Sequence, residues 1–197
     1  MVKKAKVAIL ISGGGTNLQA IIDKWELGEL PHVDLDLVVS NRKDAKGIER
    51  AKAADIDSMI ISEEDFEQEL SRTLDYRGDE IIVLAGFLKI LSEGFVKKYS
   101  RRIINVHPSL IPSFCGKGYY GLKVHEEVLK RGVQVSGATV HFVNEIPDGG
   151  EIIMQKTVDV LYSDTPKVLQ KRIMEEAEWI ILPKSLEKVA KKLVEDR

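Results

Sequence analysis

The sequence has little of three features that would point to particular classes of protein. Its single cysteine, Cys115, excludes an intrachain disulfide framework. No stretch approaches the roughly 20 apolar residues that a membrane-spanning helix needs, and the apolar run at 7–11 is too short for the core of a signal peptide. The net charge is −2, so nucleic acid is not expected as the main partner. We therefore expect a cytoplasmic protein that binds neither membrane nor nucleic acid.

The chain has the size and composition of one soluble domain, with 197 residues of which 44% are hydrophobic and 30% charged. Apolar runs alternate with helical periodicity, a pattern typical of a parallel sheet covered on both faces. The predicted strands are 6–11, 35–40, 58–61, 81–85 and 102–106, and the predicted helices between them are 17–27, 45–54 and 64–74, with mixed loop and helix at 87–99.

The alternation of predicted strands and helices ends in the C-terminal part. A helix is predicted at 124–131, and two strands at 137–143 and 151–158 look like an antiparallel pair. A last long helix begins after Thr165, with a break or restart near Pro183. The expected fold class is α/β: a Rossmann-like, open, twisted, mostly parallel sheet with helices on both faces and an antiparallel C-terminal strand pair, all in a single domain over 1–197.

A glycine-rich loop at 12–17 lies between the first predicted strand and the first predicted helix. Backbone N–H groups at such a turn can hold a phosphate, and Ser12 or Thr16 could cap the helix. No lysine completes a P-loop, and Leu18 stands where a dinucleotide fingerprint has its third glycine. The loop is therefore expected to bind one phosphate group, with a plain tight turn as the alternative.

Asn105, His107 and Asp148 carry the chemistry that the sequence suggests. An asparagine can donate a hydrogen bond to an oxyanion, a histidine can move a proton near neutral pH, and an aspartate can orient that histidine and raise its pKa. Val106 separates the first two, so their side chains share one face of an extended strand. Taken singly, His107 could be a packed histidine and Asp148 a turn former.

Other candidates are weaker on sequence alone. We expect His32 and His125 on the surface and His141 in the core or on a sheet face, and no group of residues has metal-ligand spacing. The apolar stretch 84–91 is either core or a slot for a flat heterocycle. The acidic residues at 175, 176 and 178 are either a solvated helix face or include an acceptor for sugar hydroxyls.

Four stretches, at 11–21, 83–91, 105–112 and 137–150, resemble the phosphoribosylglycinamide formyltransferase family, and the resemblance covers essentially the whole chain. It implies an enzyme that transfers a formyl group from 10-formyltetrahydrofolate to the amine of 5-phosphoribosylglycinamide in de novo purine (IMP) biosynthesis. The N-terminal half, about 1–100, would bind the phosphate, and about 101–197 would hold the folate and the catalytic residues. The protein would be a monomer or a homodimer that binds small molecules and no metal.

The resemblance also implies individual roles. Asn105 would bind the formyl oxygen, His107 would donate a proton, and Asp148 would raise the pKa of His107. The phosphoribosylglycinamide would meet Gly15, Thr16 and Asn17 through its phosphate, Glu178 through its ribose hydroxyls and Gly86 through its glycinamide. The pterin site of the folate would be lined by Leu88, Lys89, Ile90 and Leu91.

The sequence departs from the family at two places. Lys89 stands where many members have arginine, and 62–64 reads Ser-Glu-Glu where some have an arginine that helps hold the folate tail, so that contact is not assigned to Glu63. Two other functions stay open. One is a formyltetrahydrofolate deformylase-type hydrolase that uses the same three residues on water. The other is a non-catalytic α/β module that senses a phosphate-bearing ligand.

Overall fold

A computed structural model describes residues 2–61 and 65–197 of the chain. Its strands are β1 (Ala5–Ile11), β2 (Val33–Ser40), β3 (Asp57–Ile60), β4 (Ile81–Leu84), β5 (Ile103–His107), β6 (Val135–Phe142) and β7 (Ile152–Asp159). Its helices are α1 (Thr16–Glu26), α2 (Gly47–Ala53), α3 (Phe66–Arg77), α4 (Glu93–Lys98), α5 (Leu122–Arg131), α6 (Pro166–Ile173) and α7 (Trp179–Glu195). The start predicted for the third helix, at 64, and the position of Glu63 lie outside the described residues.

The strands form one sheet in the order β3-β2-β1-β4-β5-β6-β7. Neighbours from β3 to β5 are parallel, whereas β6 is antiparallel to both β5 and β7. The predicted fold class is therefore confirmed, including the antiparallel C-terminal pair.

The central strands are buried on both faces of the sheet, as in other parallel sheets. Along β1, Val7 and Ile9 pack into one apolar cluster, while Ala8 and Leu10 pack into the other. The first cluster also contains residues of α1, α2, α5, α6 and α7. The second contains residues of α3 and α4. Helices thus cover both faces and leave the strand ends as the place for a site.

Three loops meet at the carboxyl edge of the sheet because β1, β4 and β5 are parallel neighbours. Leu84 at the end of β4 pairs with Asn105 of β5, and the Ser12 amide donates to the carbonyl oxygen of Gly86 at 3.3 Å. The glycine loop, the segment after β4 and the end of β5 therefore lie side by side. Ligands of open α/β sheets bind at this edge.

Two local expectations are wrong. Helix α1 is capped by Gly15, and no side chain of the described residues hydrogen-bonds to this cap. The Ser12 hydroxyl instead donates to Asn41 Oδ1 at 2.7 Å and accepts from the Leu88 amide at 2.9 Å. The chain does not break at Pro183, which lies inside α7. A widened π-helical turn, Met174–Glu178, precedes α7 instead, and such turns occur mostly as single-turn interruptions of α-helices.

Candidate active site

Asn105 and His107 project from the same face of β5, as the spacing predicts. Asn105 pairs with His141 of the antiparallel strand β6, and its Nδ2 atom lies 3.2 Å from His141 Nε2. The His141 Nδ1 atom is 2.8 Å from the carbonyl oxygen of Phe142, which can only accept a hydrogen bond. Nε2 of a neutral His141 is therefore an acceptor for the Asn105 amide. This contact fixes the orientation of the amide and uses one of its two N–H groups.

His107 is buried, with 5% of its surface exposed. Its Nε2 atom lies 2.9 Å from the carbonyl oxygen of Phe114, so Nε2 carries a proton. Its Nδ1 atom lies 3.5 Å from Asp148 Oδ2. Burial lowers the pKa of His107 below its ordinary value, although the charge of Asp148 and the Phe114 carbonyl raise it. Burial of His107 thus favours the neutral imidazole.

Asp148 lies between two imidazoles. One carboxylate oxygen faces His107, and the other lies 3.6 Å from His141 Nε2. The oxygen facing His107 also accepts a hydrogen bond from the Gly116 amide at 2.8 Å. Burial raises the pKa of Asp148, whereas the positive charge that His107 carries when protonated and the hydrogen bond from the Gly116 amide lower it, and the net shift is below the ordinary value. Asp148 is thus a buried carboxylate held in its ionised form.

The segment that carries Asp148 is held in a strained, closely packed turn. Asp148 has a φ of 56°, which few non-glycine residues adopt. A side chain at Gly150 would place its Cβ 1.7 Å from the Phe142 carbonyl oxygen. The Asn144 side chain also donates to the Gly149 carbonyl oxygen at 3.2 Å. The turn therefore fixes the carboxylate opposite the end of β5.

The structure changes the interpretation of two histidines, His141 and His125. His141 is buried in the sheet, as expected, but it contacts Asn105 and Asp148, a role that sequence reasoning missed. The expectation of a surface position for His125 is wrong: it is fully buried on the inward side of α5, between Val124 and Val128. His32 is only partly exposed, because it is paired with Glu187.

The glycine loop and Glu178 come together at the start of α1. Asn17 is buried, and its Nδ2 atom donates to Glu178 Oε2 at 2.7 Å. Burial raises the pKa of Glu178, and the hydrogen bond from Asn17 opposes this rise. Gly15 adopts a φ of 71° that directs the chain into the helix. Thr16 follows it at an exposed position. The backbone amides at the start of α1 therefore lie near the Glu178 carboxylate, which Asn17 contacts.

The segment after β4 presents apolar side chains to solvent. Gly86 makes the turn with a φ of 72°, and the side chains of Leu88 and Ile90 are 63% and 80% exposed. Leu91 is partly buried, and the Lys89 ammonium lies 5.0 Å from the centre of the Phe66 ring. Exposed leucine and isoleucine beside a polar site are suited to covering a flat heterocycle.

Neither a metal cluster nor a spanning helix is found in the part of the chain that the structure describes. Among residues 2–61 and 65–197, no three histidine, cysteine or acidic side chains are grouped so as to hold a metal ion. Within the same ranges, no helix is long and apolar enough to cross a membrane.

Comparison with known proteins identifies the family. A model of the formyl transferase family matches residues 5–186. The chain is 39% identical over 185 residues to phosphoribosylglycinamide formyltransferase of Haemophilus influenzae, covering 90% of this chain and 84% of that one. It is 42% identical over 195 residues to the trifunctional purine biosynthetic protein adenosine-3 of Bos taurus, with 95% of this chain but only 18% of that protein covered.

The structural comparison agrees with the sequence comparison. Glycinamide ribonucleotide transformylase 1 of Symbiobacterium toebii superimposes with a TM-score of 0.88 at 36% identity, covering 96% of this chain and 89% of that one. The chain therefore belongs to the formyl transferase family and, within it, to the phosphoribosylglycinamide formyltransferases.

Proposed function

We propose that this chain transfers the formyl group of 10-formyltetrahydrofolate to the amine of 5-phosphoribosylglycinamide, a step of de novo purine biosynthesis. The observation that carries the proposal is the convergence of Asn105, His107 and Asp148 at the carboxyl edge of the sheet. An amide donor, an imidazole and a carboxylate are sufficient for acyl transfer to an amine without a metal or a covalent enzyme intermediate.

The phosphoribosylglycinamide is proposed to extend from the glycine loop toward β5. Its phosphate binds the backbone at Gly15, Thr16 and Asn17, where helix α1 begins and its dipole favours an anion. The Glu178 carboxylate accepts hydrogen bonds from the ribose hydroxyls. Gly86 lies between the loop and Asn105, which is the position that the glycinamide needs.

The folate is proposed to lie along the segment after β4. Its pterin ring covers the exposed side chains of Leu88 and Ile90 and runs beside Lys89 and Leu91. Phosphate binding thus belongs mainly to residues before about 100, and the catalytic residues come from the part after it. The proposal includes no metal. A cytoplasmic location and a monomeric or homodimeric state remain predictions.

The chemistry needs one carbon–nitrogen bond to form and another to break. The substrate amine attacks the formyl carbon, and the second N–H of the Asn105 amide stabilises the oxyanion, a contribution of about 3 kcal/mol for such a donor. The amine then gives up a proton through Asp148 or a water molecule. His107, as an imidazolium stabilised by the Asp148 charge, delivers its Nδ1 proton to the folate nitrogen as the carbon–nitrogen bond to that nitrogen breaks, while Nε2 stays bonded to the Phe114 carbonyl.

A direct assay separates the transferase from the deformylase-type hydrolase. The purified chain is incubated with 10-formyltetrahydrofolate, with and without 5-phosphoribosylglycinamide, and formylated amine and free formate are both quantified. The proposal predicts formylated amine in proportion to folate consumed and little formate without amine. Formate release at the same rate without amine would establish hydrolysis instead. A ligand-sensing module would give neither product.

A further inference from the structure

Helix α2 contacts the outer side of the glycine loop through two backbone carbonyls. The Gly47 amide donates to the carbonyl oxygen of Gly13 at 3.1 Å. The Nε atom of Arg50, one helical turn later, donates to the carbonyl oxygen of Gly14 at 2.8 Å. Neither Gly47 nor Arg50 is among the residues assigned above to a substrate, yet both contact the loop that is proposed to hold the phosphate.

These two contacts determine where the loop amides point. In a trans peptide the carbonyl of one residue and the N–H of the next point in opposite directions. Holding the carbonyls of Gly13 and Gly14 against α2 therefore directs the N–H groups of Gly14 and Gly15 away from α2. Those N–H groups belong to the turn that enters α1, which is the side on which an anion binds.

We propose that Arg50, together with Gly47, is a positioning residue for the phosphate loop and thereby sets specificity for a phosphorylated amine. The proposal rests on the proposed function only for the identity of the substrate. Glycines have wide backbone freedom, so a run of three has no intrinsic preference for one amide orientation. Fixing that orientation before binding removes an ordering cost that the phosphate would otherwise meet.

The packing supports a fixed rather than an adaptable contact. Arg50 also donates from Nη1 to Gln19 Oε1 at 3.0 Å, which links α2 to α1 across the loop. A Cβ atom at Gly47 would lie 2.4 Å from the Ile11 side chain, and one at Gly15 would lie 2.7 Å from the Gly47 Cα atom. Both glycines are therefore needed for the approach that brings Arg50 to Gly14.

The test compares Arg50→Gln and Arg50→Lys with Lys52→Gln, which removes an exposed charge from the same helix. Each variant is assayed with 5-phosphoribosylglycinamide and with the same compound lacking phosphate. Arg50→Gln should raise KM for the phosphorylated amine about tenfold. Three other quantities should stay within about twofold of the unmodified chain: kcat, KM for the formylfolate, and kcat/KM for the dephosphorylated amine. Lys52→Gln should behave like the unmodified chain.

Arg50→Lys separates positioning from simple attraction. The lysine keeps the charge but lacks the planar fork that bonds the Gly14 carbonyl and Gln19 together, so it should resemble Arg50→Gln. A normal KM for the phosphorylated amine in Arg50→Lys would overturn the proposal, and so would equal losses with the two amines in Arg50→Gln. Thermal melting of each variant verifies that it is folded.

A second readout does not depend on formyl transfer. Binding of inorganic phosphate to the unmodified chain and to Arg50→Gln is measured by 31P NMR titration. Weaker binding in the variant would support the positioning role even if the chain formylated no amine, which would refute the proposed function alone. Equal phosphate affinity in the two proteins would overturn the role of Arg50.

Discussion

The His107 Nδ1 atom lies 3.5 Å from Asp148 Oδ2, farther than a good hydrogen bond but within ion-pair distance. The contact to the Phe114 carbonyl places the imidazole proton on Nε2. The Nδ1 lone pair of the neutral ring therefore faces the carboxylate, which accounts for the long separation. Protonation of Nδ1 converts this pair into a charge-assisted hydrogen bond, so Asp148 partly offsets the lowering of the His107 pKa by burial.

We predict that Asp148→Asn lowers the pKa of His107 further. Burial already lowers this pKa, and the Asp148 charge is the strongest effect opposing burial. NMR titration of the histidine ring signals measures the change directly. The variant should also lose turnover far more than substrate affinity, because the imidazolium is needed only in the reaction. An unchanged or higher pKa of His107 would contradict this relationship.

A second prediction concerns the buried Glu178. Its Oε2 atom accepts from Asn17 at 2.7 Å, and replacement by glutamine removes a carboxylate that sugar hydroxyls could use. Glu178→Gln should raise KM for 5-phosphoribosylglycinamide about tenfold and leave KM for the formylfolate unchanged. The matched control is Glu176→Gln, an exposed position in the same turn. A purely structural role for Glu178 would instead lower thermal stability without this selectivity.

Asp79 gives a stability prediction away from the site. It is 3% exposed, and neither carboxylate oxygen has a hydrogen-bond partner within residues 2–61 and 65–197. Burial and the Asp36 charge raise its pKa from 3.8 to about 7. Between these values the folded chain holds a proton that the unfolded chain has lost. The resulting stabilisation is complete below the lower value and disappears as pH rises through 7.

Asp79→Asn should therefore gain stability relative to the unmodified chain as pH increases from 5 to 9. Urea unfolding at several pH values gives the free energy of unfolding of both proteins, and the difference should grow by about 2 kcal/mol or more. Glu26→Gln, at an exposed position on α1, serves as the control. Parallel pH profiles for Asp79→Asn and the unmodified chain would show that Asp79 is ionised throughout.

His125 should have the opposite pH dependence. Neither of its ring nitrogens has a hydrogen-bond partner in the described ranges. Burial lowers its pKa from 6.5 to about 4, and nearby His107 adds to this when it is protonated. As pH falls from the upper to the lower of these values, the unfolded chain binds a proton at this histidine and the folded chain does not. The free energy of unfolding therefore decreases. His125→Leu should be more stable relative to the unmodified chain at pH 5 than at pH 8. A constant difference would contradict the assignment.

The sequence predicts those parts of the site that depend on local spacing. Asn105 and His107 share a face because one residue separates them in a strand, and the glycine loop follows from its place between a strand and a helix. The alternation of strands and helices likewise predicts the parallel sheet. Each of these features depends on only a few consecutive residues, because the backbone conformation of a strand or helix sets the direction of neighbouring side chains.

Features that depend on distant packing are the ones that the sequence missed. His141 meets Asn105 only through the register of β5 and β6, and the inward position of His125 depends on how α5 is rotated against the sheet. For the acidic group the sequence offers Glu178 as one alternative beside a solvated face, and the structure shows that Glu178 is buried while Glu175 and Glu176 are exposed. None of these is set by residue spacing alone.

A single-turnover measurement on His107→Gln bears most immediately on the proposed chemistry. Both substrates are supplied at saturating concentration, their affinities are verified by equilibrium binding, and formation of formylated amine is followed in time. Removal of the proton donor should slow this step about a thousandfold while both dissociation constants stay within about twofold. A rate within tenfold of that of the unmodified chain would contradict the role of His107 and, with it, the proposed mechanism.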